Sequence, residues 1–274
     1  MNQLQAKAAL LEIKACDLRD DALFQCGTSV DRGIHIGGAY SALLPLTALY
    51  YGGHMRIDLE QPTNPRQDLF VLSKGHAVAA LASVYADIGY FDRAYLEGTR
   101  GYGALVKGHP GPCIPGVAVA TGPLGHGISL AAGFALRRLE DSPYHVFTLV
   151  GDGELQEGSC WEGVQFAGDR RLRNLCVLVD ANHGQSDSTT QLVVGMDNVG
   201  RQFEAFGFRA FDANSDDMLS LLTALERFET ETDPLGRPTV IVCHGQKGIG
   251  GFAGLCGKHK ASFDDAALAM ERKL

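Results

Sequence analysis

Two stretches of this sequence decide its fold: HVFTLVGDGE (145–154) and LCVLVDANHGQ (175–185). Each begins with a continuous apolar run, which is typical of a strand buried on both faces of a parallel sheet. Each then ends in glycine and in an oxygen-bearing side chain, Asp152 in the first stretch and Asn182 in the second. If the two strands are neighbours, both side chains lie at the same edge of the sheet, where open α/β sheets bind their ligands.

The rest of the chain alternates between short apolar runs and segments with helical spacing. The predicted elements are strands over Leu69–Leu72, Val146–Val150, Leu175–Val179 and Val240–Cys243, and helices over Ala39–Tyr51, Ala77–Tyr90, Gly127–Leu139, Leu155–Phe166 and Met218–Phe228. Strands that alternate with helices indicate the α/β class, here a doubly wound parallel sheet with helices on both faces. No repeat or long linker divides the chain, so we expect one domain over residues 1–274.

Composition excludes several classes of function. The chain has 274 residues, is 45% hydrophobic and carries a net charge of −8 without a block of like charges. This argues against nucleic acid or an anionic membrane as the main partner, since both attract basic patches. No apolar run is long enough to span a membrane, and residues 1–21 read as a charged amphipathic helix rather than a signal peptide. The seven cysteines include no CxxC pair, which disfavours a zinc or redox site and suits a reducing cytoplasm.

The residue types at the two strand ends indicate a metal and a phosphate. Carboxylate and amide oxygens, as in Asp152 and Asn182, suit magnesium, which usually shares its ligands with phosphate oxygens. Gly151 and Gly153 allow the backbone to approach an anion closely, and the following helix directs N–H groups toward it. The alternative is that Gly-Asp-Gly is only a turn and Asn182 only a cap or an Asx turn. A lone Gly-Asp-Gly would favour that alternative, whereas its pairing with Asn182 favours a site.

Longer stretches of the sequence resemble a known family. GDG followed one buried strand later by Asn resembles the thiamine diphosphate signature. FVLSKGHA (70–77), KGHPGPCIPGVAVATGPLGHGIS (107–129) and GDGELQEGSCWEG (151–163) resemble transketolase sequences in the same order. The resemblance runs from about His35 to His259. Because an ordinary transketolase is more than twice as long, it implies a separate subunit formed by the diphosphate-binding (PP) domain, with the pyrimidine-binding and C-terminal domains on a partner chain in an α2β2 heterotetramer.

The resemblance also implies cofactor ligands. These would bind thiamine diphosphate and magnesium, or calcium or manganese in its place. The implied set comprises Asp152, Asn182 and the Gly184 carbonyl for the metal, His76, His259 and the Gly153 N–H for the diphosphate, and Gly122 and Leu124 for the rings of the cofactor.

Four residues are implied in catalysis. His35, His109 and His259 match histidines that line the substrate channel, and Glu157 matches a carboxylate that faces its twin across a dimer axis and couples two active sites. Moving a two-carbon ketol unit requires proton transfers near neutral pH, for which the ordinary pKa of histidine is suited. His35 and His109 both lie in glycine- or proline-rich loops.

The sequence departs from the family pattern at several positions. His126 stands where many transketolases have Gln, and the third metal-ligand position is Gly184. Ser186 replaces a bulky aliphatic residue that packs on the thiazolium ring, and QKGIGG (246–251) replaces KGKG. These differences leave cofactor binding expected and put ordinary pentose-phosphate specificity in doubt.

The leading hypothesis is the N-terminal subunit of a transketolase that transfers a glycolaldehyde unit from a ketose (phosphate) to an aldose. A second hypothesis replaces the acceptor with a non-sugar aldehyde or a carrier-bound acyl group. A third, a non-catalytic regulatory chain, is disfavoured by the intact Asp152, Asn182, His76 and Glu157. A dinucleotide site fails because residues 122–127 lack the GxGxxG order.

Overall fold

The computed structural model describes residues 2–30, 33–62, 64–138 and 144–248, and the backbone of 261–262. Its centre is a five-stranded sheet in which all neighbours are parallel. The strands are β2 (Leu69–Leu72), β3 (Val146–Gly151), β4 (Leu175–Ala181), β5 (Arg209–Asn214) and β6 (Thr239–His244), in the order β2-β3-β4-β6-β5. Two short strands, β1 (Gly33–Ile34) and β7 (Ala261–Ser262), pair antiparallel outside this sheet.

Helices cover both faces of the sheet. They are α1 (Gln3–Thr28), α2 (Ile36–Tyr51), α3 (Val78–Asp87), α4 (Gly127–Arg138), α5 (Gly158–Asp169), α6 (Thr190–Val193), α7 (Val199–Ala205) and α8 (Met218–Thr230), with 3₁₀ turns at Gly75–Ala77, Arg93–Leu96 and Glu154–Gln156. Of these helices, α1, α2, α3 and α8 share one hydrophobic core with the sheet, and α4, α5 and α7 share the other. None of the described helices is both long and apolar enough to cross a membrane.

Alternation along the strands produces the two cores. Phe147 and Leu149 point into the core with α1, α2, α3 and α8, whereas Val146 and Val150 point into the core with α4, α5 and α7. Every residue of β3 and β4 is buried, which explains why both strands read as continuous apolar runs. The predicted doubly wound α/β fold is confirmed.

The four predicted strands and five predicted helices are present, with shifted ends. The segment predicted as one helix from Leu155 to Phe166 is a 3₁₀ turn followed by α5, and the helix predicted from Ala77 ends at Asp87. Strand β5 was not predicted, because its sequence RAFDAN alternates between buried and exposed residues at the edge of the sheet. Helix α7 was also missed.

The sheet brings the two decisive strand ends together. Strands β3 and β4 are neighbours, and Gly151 lies opposite Asp180. The Gly-Asp-Gly turn and the Asn182 loop therefore leave the sheet side by side at its carboxyl edge, as the sequence predicts.

Candidate functional site

A cavity of about 250 Å³ lies at this carboxyl edge. Its walls come from the ends of β2, β3 and β4, from the 3₁₀ turn after β3 and from the segment after β6. Seven of the predicted site residues line it: His76, Leu124, Asp152, Gly153, Glu157, Asn182 and Gly184. Ser186, one of the departures from the family pattern, lines it as well.

A larger cavity, about 500 Å³, lies at the start of β2. Several of the polar groups that line it are paired within the protein. The hydroxyls of Tyr50 and Tyr85 are 3.1 Å apart, and Asp68 forms an ion pair with Arg56 at 3.1 Å. We place the candidate site in the smaller cavity because oxygen ligands and histidines converge there among the described residues.

Asp152 is a buried carboxylate at the floor of the smaller cavity. Its Oδ2 accepts a hydrogen bond from the His183 N–H at 2.7 Å, and its Oδ1 accepts one from the Gly153 N–H at 2.8 Å. Burial raises the pKa of Asp152, and the nearby Asp180 carboxylate raises it further. Both effects disfavour the anion unless positive charge is added, so this carboxylate is suited to a cation.

The amide of Asn182 is oriented by a buried network behind it. Its Nδ2 donates to Ser41 Oγ at 3.3 Å, and Ser41 Oγ donates to Asp180 Oδ2 at 2.7 Å. Lys74 forms a buried ion pair with the same Asp180 oxygen. Because Nδ2 is held by Ser41, the Oδ1 of Asn182 is directed away from the network, where it accepts the Gly184 N–H at 3.1 Å.

The Gly184 carbonyl, the third predicted metal ligand, already contacts a cation. Lys247 Nζ donates to it at 2.6 Å. Burial lowers the pKa of Lys247 to about 8, and the charge of Lys74 contributes to this lowering. The ammonium group thus stands beside a carbonyl that is expected to bind a divalent ion.

These donors fit magnesium. They are one carboxylate, one amide oxygen and one carbonyl oxygen, which leaves coordination positions for phosphate oxygens and water. Within the described ranges, no three His, Cys, Asp or Glu residues are grouped as a metal cluster. The site therefore suits an oxygen-preferring ion that shares its ligands with a bound phosphate.

Gln185 supports the presence of a bound group. In the described structure its side-chain oxygen is buried without a hydrogen-bond partner. A Cβ atom at Gly153 would lie 3.0 Å from this side chain, so the glycine allows Gln185 to pack over the turn. An unpaired buried polar atom is costly, and a ligand or water in the cavity would provide its partner.

Three of the predicted histidines are brought together. The ring centroid of His35 lies 5.6 Å from that of His76 and 6.5 Å from that of His109. Burial lowers the pKa of His109, and the Arg100 guanidinium lowers it further. His109 is therefore neutral over a wider pH range than an ordinary histidine. His259 lies outside the described residues.

The loops that carry the remaining predicted residues are closely packed. A Cβ atom at Gly75 would lie 3.1 Å from the Gly122 N and 3.2 Å from the His109 ring, so the KGHA and TGPLG turns meet without room for side chains. Leu124 is 41% exposed at the cavity, which is compatible with contact to a cofactor ring. Glu157 is exposed at the start of α5.

Sequence reasoning missed five groups at this site. They are Ser41, Lys74, Glu154, Gln185 and Lys247. Lys74, Glu154 and Gln185 lie inside the quoted motifs, so their position next to predicted ligands was an available signal. Ser41 and Lys247 reach the site only through the folding of distant segments.

Comparisons with known proteins agree with this geometry. Residues 30–274 match the family model described as "Transketolase, thiamine diphosphate binding domain". One of the two subunits of the apulose-4-phosphate transketolase of Phocaeicola vulgatus is 33% identical over 217 residues, which are 79% of this chain and 76% of that protein. The 6-deoxy-6-sulfo-D-fructose transketolase subunit SqwG of a Clostridium species is 34% identical, covering 86% of this chain and 81% of that one.

Longer transketolases match over part of their length. The human enzyme is 35% identical over 249 residues, which are 90% of this chain and 38% of that protein. The crystal structure of a Pichia stipitis transketolase variant superimposes with a TM-score of 0.86 at 25% identity and covers 96% of this chain and 40% of that one. The chain thus corresponds to one part of these longer proteins.

Proposed function

Because the chain belongs to the transketolase family, as its thiamine diphosphate-binding part, we propose that the carboxyl-edge cavity binds the diphosphate through magnesium. The observation that carries this proposal is the convergence of Asp152, Asn182 and the Gly184 carbonyl on one cavity that His76 also lines. Asp152 and Asn182 would hold the metal with the Gly184 carbonyl, in which case Lys247 moves from that carbonyl. When bound, thiamine diphosphate supplies the nucleophilic carbon and the electron sink for ketol transfer.

The protein's own residues would hold the cofactor and move protons. His76 and the Gly153 N–H are placed to contact the diphosphate, and Gly122 and Leu124 to contact the rings. His35 and His109 lie next to them and would exchange protons with the substrate carbonyl and hydroxyl groups. A lowered pKa keeps His109 neutral at physiological pH, which suits a proton acceptor.

We propose that activity requires a partner chain that carries the pyrimidine-binding domain. Similar proteins of comparable length are named as subunits, and this chain spans about 40% of longer transketolases. A surface for the partner adjoins the cavity: Leu192, Val193 and Val194 are 78%, 42% and 55% exposed. Gln156, which lines the cavity, holds this segment by donating to the Val194 carbonyl at 3.0 Å.

The assembly we propose is an α2β2 heterotetramer. Glu157 is exposed at the start of α5, where it could meet its counterpart in a second copy of this chain. Symmetric association of this kind is common among oligomeric enzymes. A cytoplasmic location and a single domain over the whole chain remain predictions.

The proposed reaction is transfer of a two-carbon ketol unit from a ketose or ketose phosphate to an aldose. The donor and acceptor stay open, and the departures at His126, Gly184 and Ser186 favour testing unusual substrates beside pentose phosphates.

The test is to produce the chain with the product of the neighbouring pyrimidine-domain gene and to titrate thiamine diphosphate with and without magnesium. Binding that requires magnesium, followed by ketol transfer from a panel of ketose phosphates, is expected. Absence of magnesium-dependent binding in the assembled pair would refute the proposal.

A further inference from the structure

Glu154 is a buried acid at the cavity, 3% exposed, that is not among the predicted ligands of metal or cofactor. Its carboxylate accepts three hydrogen bonds. Oε1 accepts from Ser73 Oγ at 2.6 Å and from the Gly125 N–H at 3.0 Å, and Oε2 accepts from the Gly151 N–H at 3.2 Å. The three donors come from segments that are distant in sequence, so Glu154 joins parts of the chain that would otherwise be free to move separately.

Each donor adjoins a residue proposed to bind the cofactor. Ser73 precedes the segment with His76, Gly125 directly follows Leu124, and Gly151 directly precedes Asp152. These residues are assigned to the diphosphate, the rings and the metal, respectively. One carboxylate therefore connects the three walls that must be in register for a single molecule to contact all of them.

Two of these segments are in direct contact. A Cβ atom at Gly127 would lie 2.6 Å from the Ser73 Cα, and Gly125 has a φ of +83°, in the region that favours glycine. The turn after Leu124 thus packs directly on the end of β2, and Glu154 is bonded to both sides of this contact.

A carboxylate is suited to this place because it only accepts hydrogen bonds and has two oxygens to do so. Burial raises the pKa of Glu154, and the hydrogen bonds from its three donors and the charge of Lys74 oppose this effect. Glutamine has nearly the same shape, but its NH₂ group would face at least one N–H or O–H donor. The substitution would therefore break one of the connections without creating a large cavity.

We propose that Glu154 is a positioning residue that holds the three cofactor-binding segments in register. This inference rests on the proposed function, since it assigns Glu154 to the thiamine diphosphate site. It predicts that Glu154→Gln weakens binding of thiamine diphosphate about tenfold or more, as expected for loss of a hydrogen bond to a charged group.

The test is calorimetric titration of thiamine diphosphate, at saturating magnesium, into the full chain assembled with its partner. Glu226→Gln is the matched control, because it makes the same chemical change at an exposed position on α8. We expect the Kd of this control to stay within about twofold of wild type. Reduced overall stability would lower the number of active sites, whereas a positioning role raises the Kd of the folded ones.

Ser73→Ala is a second variant that removes one donor and leaves Glu154 in place. It should also weaken binding, by about threefold to tenfold, and should add little in the Glu154→Gln background, because contacting residues are not additive. If Glu154→Gln does not fold, the effect of Ser73→Ala alone decides, and an unchanged Kd in it overturns the proposal.

The same titrations separate two kinds of failure. Wild-type protein that does not bind thiamine diphosphate would refute the proposed function. Wild-type binding with an unchanged Kd in Glu154→Gln, or fully multiplicative effects of the two substitutions, would refute only the role of Glu154.

Discussion

Replacing Lys74 by methionine should destabilise the protein strongly. Lys74 and Asp180 are both buried and form an ion pair, and one oxygen of Asp180 already has no hydrogen-bond partner in the described structure. Lys74→Met would leave the carboxylate without its cation. Removing one partner of a buried pair typically costs about 3–5 kcal/mol. For a chain of this size that corresponds to a decrease in Tm of roughly 6–20 °C.

The assay is thermal unfolding of the full-length chain without cofactor, followed by circular dichroism. Lys107→Met is the matched control, since Lys107 is exposed, and it should change stability by less than about 0.5 kcal/mol. The double variant Lys74→Met/Asp180→Asn removes both charges and should recover a large part of the loss.

Two results would refute this reasoning. A Lys74→Met protein within about 1 kcal/mol of wild type would mean that Asp180 is compensated by other groups or by water. A double variant no more stable than Lys74→Met would mean that the loss comes from packing of the lysine chain and not from the unpaired charge.

Three further predictions concern activity. Asp152→Ala and Asn182→Ala should each abolish magnesium-dependent binding of thiamine diphosphate with the fold retained, and unchanged calorimetric affinity would contradict the ligand assignment. His109→Ala should lower turnover by about 10²–10⁴-fold with cofactor affinity retained, whereas His76→Ala should weaken cofactor binding. Because its pKa is lowered, His109 stays neutral further into acid, so the decrease in wild-type turnover that its protonation causes should fall below about pH 6.5. The chain alone should be inactive, and ketol transfer measured without a partner would refute the two-subunit proposal.

Much of the fold could be predicted because its signals are local. A strand buried on both faces must be apolar at nearly every position, and β3 and β4 show this directly in their sequences. Parallel neighbours end at the same edge whatever the intervening chain does, so Asp152 and Asn182 could be placed together. The edge strand β5 could not be recognised, because its buried and exposed residues alternate and its run is not continuously apolar.

The sequence by itself determined which residues end the two central strands, and that oxygen ligands, glycines and histidines gather around those ends. Only the tertiary structure decided how these groups are held. Lys74 and Asp180 are 106 residues apart, and Ser41, which orients Asn182, is 141 residues from it. Such contacts depend on packing between distant segments, and a buried charge or amide leaves no periodic pattern in the sequence that identifies its partner.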